Sequence, residues 1–316
     1  MDPEISKEYD LVIVTGPTAS GKTSLAVSLA HSLKGEIVSA DSRQVYRGMD
    51  IGTGKDYNDY IIDGKTIPYH LIDIADPGYK YNVFEYQRDF FKVYKLLKER
   101  NVFPVVCGGS GMYADSIITG YKMVEVPPDT GLRRRLEKKS MEELTGILSA
   151  MKNLHNTTDI DNKKRVIRAI EIEHYNKNRK AHISDIPRIN SLVIGVNLHR
   201  DLRRRNITRR LHQRLEAGLV EEVKRLISSG VHADMLIYYG LEYKYITHYL
   251  MGKLSYDKMV TDLEIAIHQF AKRQMTWFRG MEKKGTKIHW IDGELQMDEK
   301  VGMVINLLTH DKIIAE

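Results

Sequence analysis

A single cysteine, Cys107, in a chain of 316 residues leaves no internal disulfide and no cysteine-built zinc site. A reducing cytoplasm is the compartment that fits. Only 8 prolines occur and no low-complexity tract or internal repeat, which with 42% hydrophobic residues excludes an extended or disordered chain. No apolar run approaches the ~18 residues a membrane span needs. The opening stretch, Met1 to Glu8, is acidic and lacks the apolar centre of a signal peptide.

Positive charge is plentiful but unevenly placed. Lys and Arg number 48 against 42 Asp and Glu, a net +6. Arg133-Arg134-Arg135 with Lys138-Lys139 make one cluster, and Lys163-Lys164-Arg165 with Arg168 a second. For the first cluster a solvated helix face and a nucleic-acid contact stay equally open. Seven arginines at 200, 203, 204, 205, 209, 210 and 214 form the third. So many like charges repel unless carboxylates or anions answer them, and phosphate binding would make the interaction salt-dependent.

An apolar strand, Leu11–Val14, runs into Gly16-Pro17-Thr18-Ala19-Ser20-Gly21-Lys22-Thr23 and then into a helical run, Ser24–Leu33. Glycines at both ends of such a loop free backbone N–H groups to curl around an anion, and the helix turns its positive end to the same spot. Lys22 adds a point charge, and the Thr23 hydroxyl is suited to a Mg²⁺ ion that bridges phosphate oxygens. The loop is a cradle for a pyrophosphate or polyphosphate.

A second strand, Glu36–Ala40, ends at Asp41, and a third, Val102–Cys107, ends at Gly108-Gly109-Ser110-Gly111 after a helix over Val83–Arg100. This alternation predicts an α/β fold with a parallel sheet, whose ligands sit at the carboxyl ends of the strands. Val126-Pro127-Pro128-Asp129 is a breaker that opens a basic helical region. Ser191–Val196 returns the chain to the sheet, long helical patterns run through Phe278, and Lys287–Ile291 reads as a last strand. The expected organisation is a P-loop NTPase-like core from 1–122 and 188–316, with a small helical domain inserted at 123–187.

Asp41 has two readings that spacing does not separate. It holds the shell of a Mg²⁺ ion, or it is a general base toward an attacking nucleophile. Ser42-Arg43-Gln44 beside it offers donors and acceptors for a base edge. Tyr46 and Tyr113 would stack on a base or pack in the core.

The chain carries Asp41-Ser-Arg-Gln-Val-Tyr-Arg-Gly-Met-Asp-Ile-Gly-Thr53, His70-Leu-Ile-Asp73, Gly108-Gly-Ser-Gly-Met-Tyr113, Arg165-x-x-Arg-Ala-Ile-Glu171 and Ala271-Lys-Arg-Gln-Met-Thr-Trp-Phe-Arg279 in that order behind the P-loop. With these blocks it resembles the tRNA dimethylallyltransferases, or isopentenyltransferases, from about residue 10 to 292. The P-loop alone would be generic to kinases and NTPases. The resemblance implies transfer of a dimethylallyl group from dimethylallyl diphosphate to the exocyclic amine of the adenosine 3′ of a tRNA anticodon.

By matched position it implies that residues 16–23 hold the diphosphate, that Arg210 takes up leaving-group charge with Thr23 and Mg²⁺, and that Asp41 is the general base. Ser110 would line the reaction channel. Asp41, Ser42, Arg43, Gln44, Ser110, Lys164, Arg165, Arg168, Lys272, Arg273, Gln274 and Arg279 would meet tRNA, and a monomer is expected. The stretch from Leu136 to Asn162 is shorter than the family's insert and lacks its Asp-Pro-x-x-Ala pattern. Ile237–Glu242, Asn206 and His268 stand where basic residues are common. Prenylation of free AMP or ADP, as in the related cytokinin-forming enzymes, is the nearest alternative. A P-loop kinase or an ATP-binding module is a further one.

Overall fold

The computed structural model describes residues 8–120, 125–152, 160, 162–178 and 186–310. Two compact units make up the chain, one of Met1–Gly120 with Pro187–Glu316, the other of Tyr121–Ile186.

The larger unit is built on a six-stranded sheet in the order β5-β2-β6-β1-β7-β8, with every neighbouring pair parallel. The strands are β1 (Leu11–Thr15), β2 (Glu36–Ser39), β5 (Tyr69–His70), β6 (Pro104–Cys107), β7 (Ser191–Asn197) and β8 (Ile288–Asp292). Two short strands, β3 (Ile61–Ile62) and β4 (Lys65–Thr66), pair antiparallel as a separate hairpin. Sequences such as Leu-Val-Ile-Val-Thr and Pro-Val-Val-Cys are apolar without alternation because both faces of a parallel sheet are covered.

Successive residues of β1 divide between the two sides. Leu11 and Ile13 enter the cluster that holds Phe90, Leu211, Ile246 and Phe278, and Val12 and Val14 enter the one with Leu25, Leu29, Val304 and Leu308. The first side is covered by α2 (Val83–Glu99), α3 (Gly111–Ile118), α7 (Arg200–Glu216), α8 (Leu219–Ser228), α9 (Ala233–Tyr239), α10 (Leu241–Leu250) and α11 (Tyr256–Lys283). The other is covered by α1 (Lys22–Ser32) and α12 (Met297–His310). Among the described residues no helix is long and apolar enough to cross a membrane.

The smaller unit holds α4 (Thr130–Leu136), α5 (Met141–Met151) and α6 (Lys163–Asn178) around its own core of Leu132, Leu136, Leu144, Leu148, Val166 and Ile170. Asp129 caps α4 by accepting from the Leu132 N–H at 2.8 Å, and Ser140 with Glu143 forms a capping box on α5.

Candidate functional site

The loop between β1 and α1 is shaped by its first glycine. Gly16 has φ +149°, and a Cβ there would lie 2.4 Å from the Val196 carbonyl oxygen, so only glycine lets the chain leave β1 beside the end of β7. The helix α1 opens at Gly21 with no side-chain cap and no acid in its first turn, which leaves its first N–H groups to an anion. Ser20 Oγ is buried without a hydrogen-bond partner among the described residues. Lys22 Nζ reaches the Pro17 carbonyl at 3.4 Å. Burial pushes its pKa down; Cys107 and Asp41 oppose this, and the guanidiniums of Arg210 and Arg214 add to it. A partly buried amine with donors to spare and a buried hydroxyl without a partner thus face the loop.

The carboxyl ends of β2 and β6 close in from the side. A Cβ on Gly108 would stand 2.2 Å from the Ala40 carbonyl oxygen, so the two loops touch through backbone. Asp41 Oδ1 accepts from the Arg43 N–H at 2.8 Å, which fixes the carboxylate. Ser110 Oγ accepts from the Ser42 N–H at 3.0 Å and donates to Ser42 Oγ at 3.2 Å. From α11, Gln274 Oε1 accepts from the Thr18 N–H at 2.8 Å while its Nε2 donates to the Gly109 carbonyl at 2.9 Å. Together these elements enclose a cavity of about 550 Å³. Lys22, Thr23, Asp41, Arg210 and Arg214 line it, with Ile237, Leu241, Ile267, Phe270 and Trp277 as apolar wall. A site of this make-up suits a ligand with an anionic head and an apolar tail.

Known proteins resemble this chain in sequence and fold. The family model described as IPP transferase matches residues 44–281, and the one described as isopentenyl transferase matches residues 9–67. A tRNA dimethylallyltransferase of Bacteroides fragilis is 61% identical over 297 residues, covering 94% of this chain and 97% of its own. The chain belongs to the IPP transferase family. A further relative, a tRNA dimethylallyltransferase of Syntrophus aciditrophicus, is 51% identical over 287 residues, 90% of this chain and 94% of its own. The crystal structure of a full-length tRNA isopentenylpyrophosphate transferase from Bacillus halodurans superposes with a TM-score of 0.70 at 33% identity, covering 95% of each chain.

Within this family site, all of residues 16–23 fall on the cradle between β1 and the first turn of α1, and Arg210 sits on α7 facing the cavity. Burial, then the neighbouring Arg214, lowers the Arg210 pKa to about 10, so it stays charged at neutral pH. Arg43 and Gln44 line the same cavity, with the Arg43 guanidinium 5.5 Å from the Tyr238 ring centre. Lys272, Arg273 and Arg279 are exposed on α11, and Lys164 and Arg165 on α6.

Several expectations change. Gln274 places one bond from each end of its amide on backbone, so it braces the cradle from the cavity wall. Arg168 donates to Glu171 and, at 2.9 Å, to the Val126 carbonyl, which anchors its guanidinium inside the inserted unit while the side chain stays 40% exposed. Tyr46 is fully buried against Tyr239, with ring centres 4.3 Å apart. Tyr113 borders the cavity with one ring face already stacked on Tyr86 at 4.0 Å. Core packing therefore accounts for both rings.

Sequence reading also passed over three residues. Arg214 and Glu242 both line the cavity, where a basic residue was expected at 242. Their signal was the four-residue spacing of Arg214 from Arg210. Glu222 is the third. Its buried carboxylate accepts from the N–H groups of Asp50, Ile51 and Gly52 and from the Tyr243 hydroxyl, which explains why the 50–53 block holds its shape.

Proposed function

We propose that the chain transfers a dimethylallyl group from dimethylallyl diphosphate to the exocyclic amino nitrogen of the adenosine 3′ of the anticodon in tRNA, with release of diphosphate. The observation that carries this reading is one cavity that pairs a cationic cradle with a carboxylate across an apolar wall. In the reaction the allylic C–O bond breaks and a C–N bond forms. The leaving oxygens gather charge, which Lys22, Arg210 and the α1 N–H groups are placed to stabilise. An aryl amine is a weak nucleophile, and Asp41 accepts its proton as it attacks. The adenine must leave its stack to enter the cavity.

The donor set suits Mg²⁺. Among the described residues no cluster of three or more His, Cys, Asp or Glu could hold a metal alone. A hard cation at Thr23 would therefore take its remaining ligands from phosphate oxygens and water. Mg²⁺ bound there supplies positive charge to the diphosphate oxygens.

The test offers radiolabelled dimethylallyl diphosphate to the wild-type chain with tRNA, AMP and ADP side by side. Label in tRNA is expected, and Asp41→Asn is expected to slow transfer by about 10²–10⁴-fold. Label in the mononucleotides alone would replace the acceptor. ATP hydrolysis without any transfer would overturn the reading.

A further inference from the structure

Arg214 stands one turn beyond Arg210 on α7, and residues four apart leave the same side of a helix. Both guanidiniums close on the same stretch of backbone. A Cβ on Gly54 would lie 1.9 Å from Arg214 Nη2 and 3.4 Å from Arg210 Nη2. Lys22 joins them in the lining of the cavity. Among the described residues, Glu242 on α10 is the carboxylate paired with this group, its Oε1 accepting from Arg214 Nη1 at 3.3 Å. Both side chains of that pair are about four-fifths buried, at 20% and 19% exposure.

Three partly buried cations with one carboxylate within ion-pair distance among the described residues are a costly arrangement for a protein without an anion. Like-charged side chains at four-residue spacing destabilise a helix, so a purely structural α7 would gain by replacing one of them. An arginine has five N–H donors, so Arg214 keeps Nη1 on Glu242 while its other donors meet phosphate oxygens.

We propose that Arg214 is a second guanidinium ligand of the diphosphate, held over Gly54 by Glu242. The proposal rests on the prenyl-transfer reading and adds a residue to it. As the allylic C–O bond breaks, the electron pair stays on the departing oxygen, and Arg210 and Arg214 share the charge from one helix face. Glu242 is a positioning residue that also competes with phosphate for Arg214.

The test titrates inorganic pyrophosphate into the full chain and its variants by calorimetry, with thermal melts alongside. Arg214→Met is expected to weaken binding about tenfold or more. Arg214→Lys keeps the charge and loses the fork, with an expected weakening of about threefold. Glu242→Gln is expected to move affinity the other way, tighter by about threefold, because the amide still accepts from Arg214 and no longer repels the anion. Should Arg214→Met fail to fold, the other two variants carry the test by their opposite signs.

A merely structural bridge between α7 and α10 would lower the melting temperature of all three and leave pyrophosphate affinity within about twofold, which overturns the proposal. Weakening by Glu242→Gln as large as that by Arg214→Met overturns it too. A wild-type chain that labels tRNA while the variants bind pyrophosphate unchanged defeats this proposal alone. A wild-type chain that neither labels an acceptor nor binds pyrophosphate defeats the prenyl-transfer reading with it.

Discussion

In the inserted helices, Arg133 and Arg168 converge on Glu171, a carboxylate with 1% of its side chain exposed. Arg133 contributes two bonds, at 2.9 and 2.7 Å, and the Asp129 N–H a third at 2.6 Å. In the α/β core, Arg210 and Lys22 are partly buried in the lining of a cavity and, among the described residues, have no carboxylate within ion-pair distance. The two regions share the same residue types and differ in what answers them. A guanidinium satisfied by its own protein holds helices together; one left unsatisfied by its own protein is placed for a ligand.

The comparison breaks most readily at Arg210. Arg210→Gln is expected to reduce transfer by about 10²–10³-fold, the loss typical of one donor aimed at developing charge, with little change in melting temperature. Equal loss of stability and activity would place Arg210 with Arg133 as a structural arginine. Glu171→Gln is expected to do the reverse. It leaves two guanidiniums facing a neutral amide and should destabilise the chain by about 2 kcal/mol, less than a fully buried pair because Arg133 and Arg168 are partly exposed. Denaturant melts measure this, and pyrophosphate affinity should not move.

The finest of the three effects is on pH dependence. Burial alone would raise the Glu171 carboxyl, but hydrogen bonds from Arg133, Arg168 and Asp129 outweigh it and bring it below its ordinary 4.5. A lowered acid stabilises the fold fully above that ordinary value and loses its contribution as pH falls through the folded pKa. The stability gap between wild type and Glu171→Gln should therefore be complete at pH 7 and shrink below about pH 4. A gap that widened on acidification would mean that the carboxyl is not held ionised by its arginines.

Much of the core was legible in the sequence for a physical reason. β1, β6 and the inner five residues of β7 are buried at every position and read as largely apolar runs. β2 keeps only Ile37 and Val38 as its apolar signal, and β8, Ile-His-Trp-Ile-Asp, is an edge strand with half-buried and exposed positions. The loops after β1, β2 and β6 carry glycines or Asp41 where ligands of such sheets bind. β5 and the β3–β4 hairpin have two residues per strand, too few to carry a period, and α12 at the end of the chain went unread. In the site, Lys22 stood out by type and spacing, whereas the base role of Asp41 and the place of Arg210 came only from the family resemblance. The partners were legible in neither. Nothing local to Arg168 names Glu171 as its destination, and nothing local to Gln274 says that its amide belongs to Thr18 and Gly109. Side-chain pairing across the fold is a product of packing.

That last pairing has a consequence for how the molecule comes into being. Thr18 and Gln274 are 256 positions apart. A ribosome delivers the loop after β1 long before the glutamine that braces it, because synthesis runs from the N-terminus. Until Gln274 has been made the nascent loop lacks its brace, and the cavity is completed only as α11 emerges.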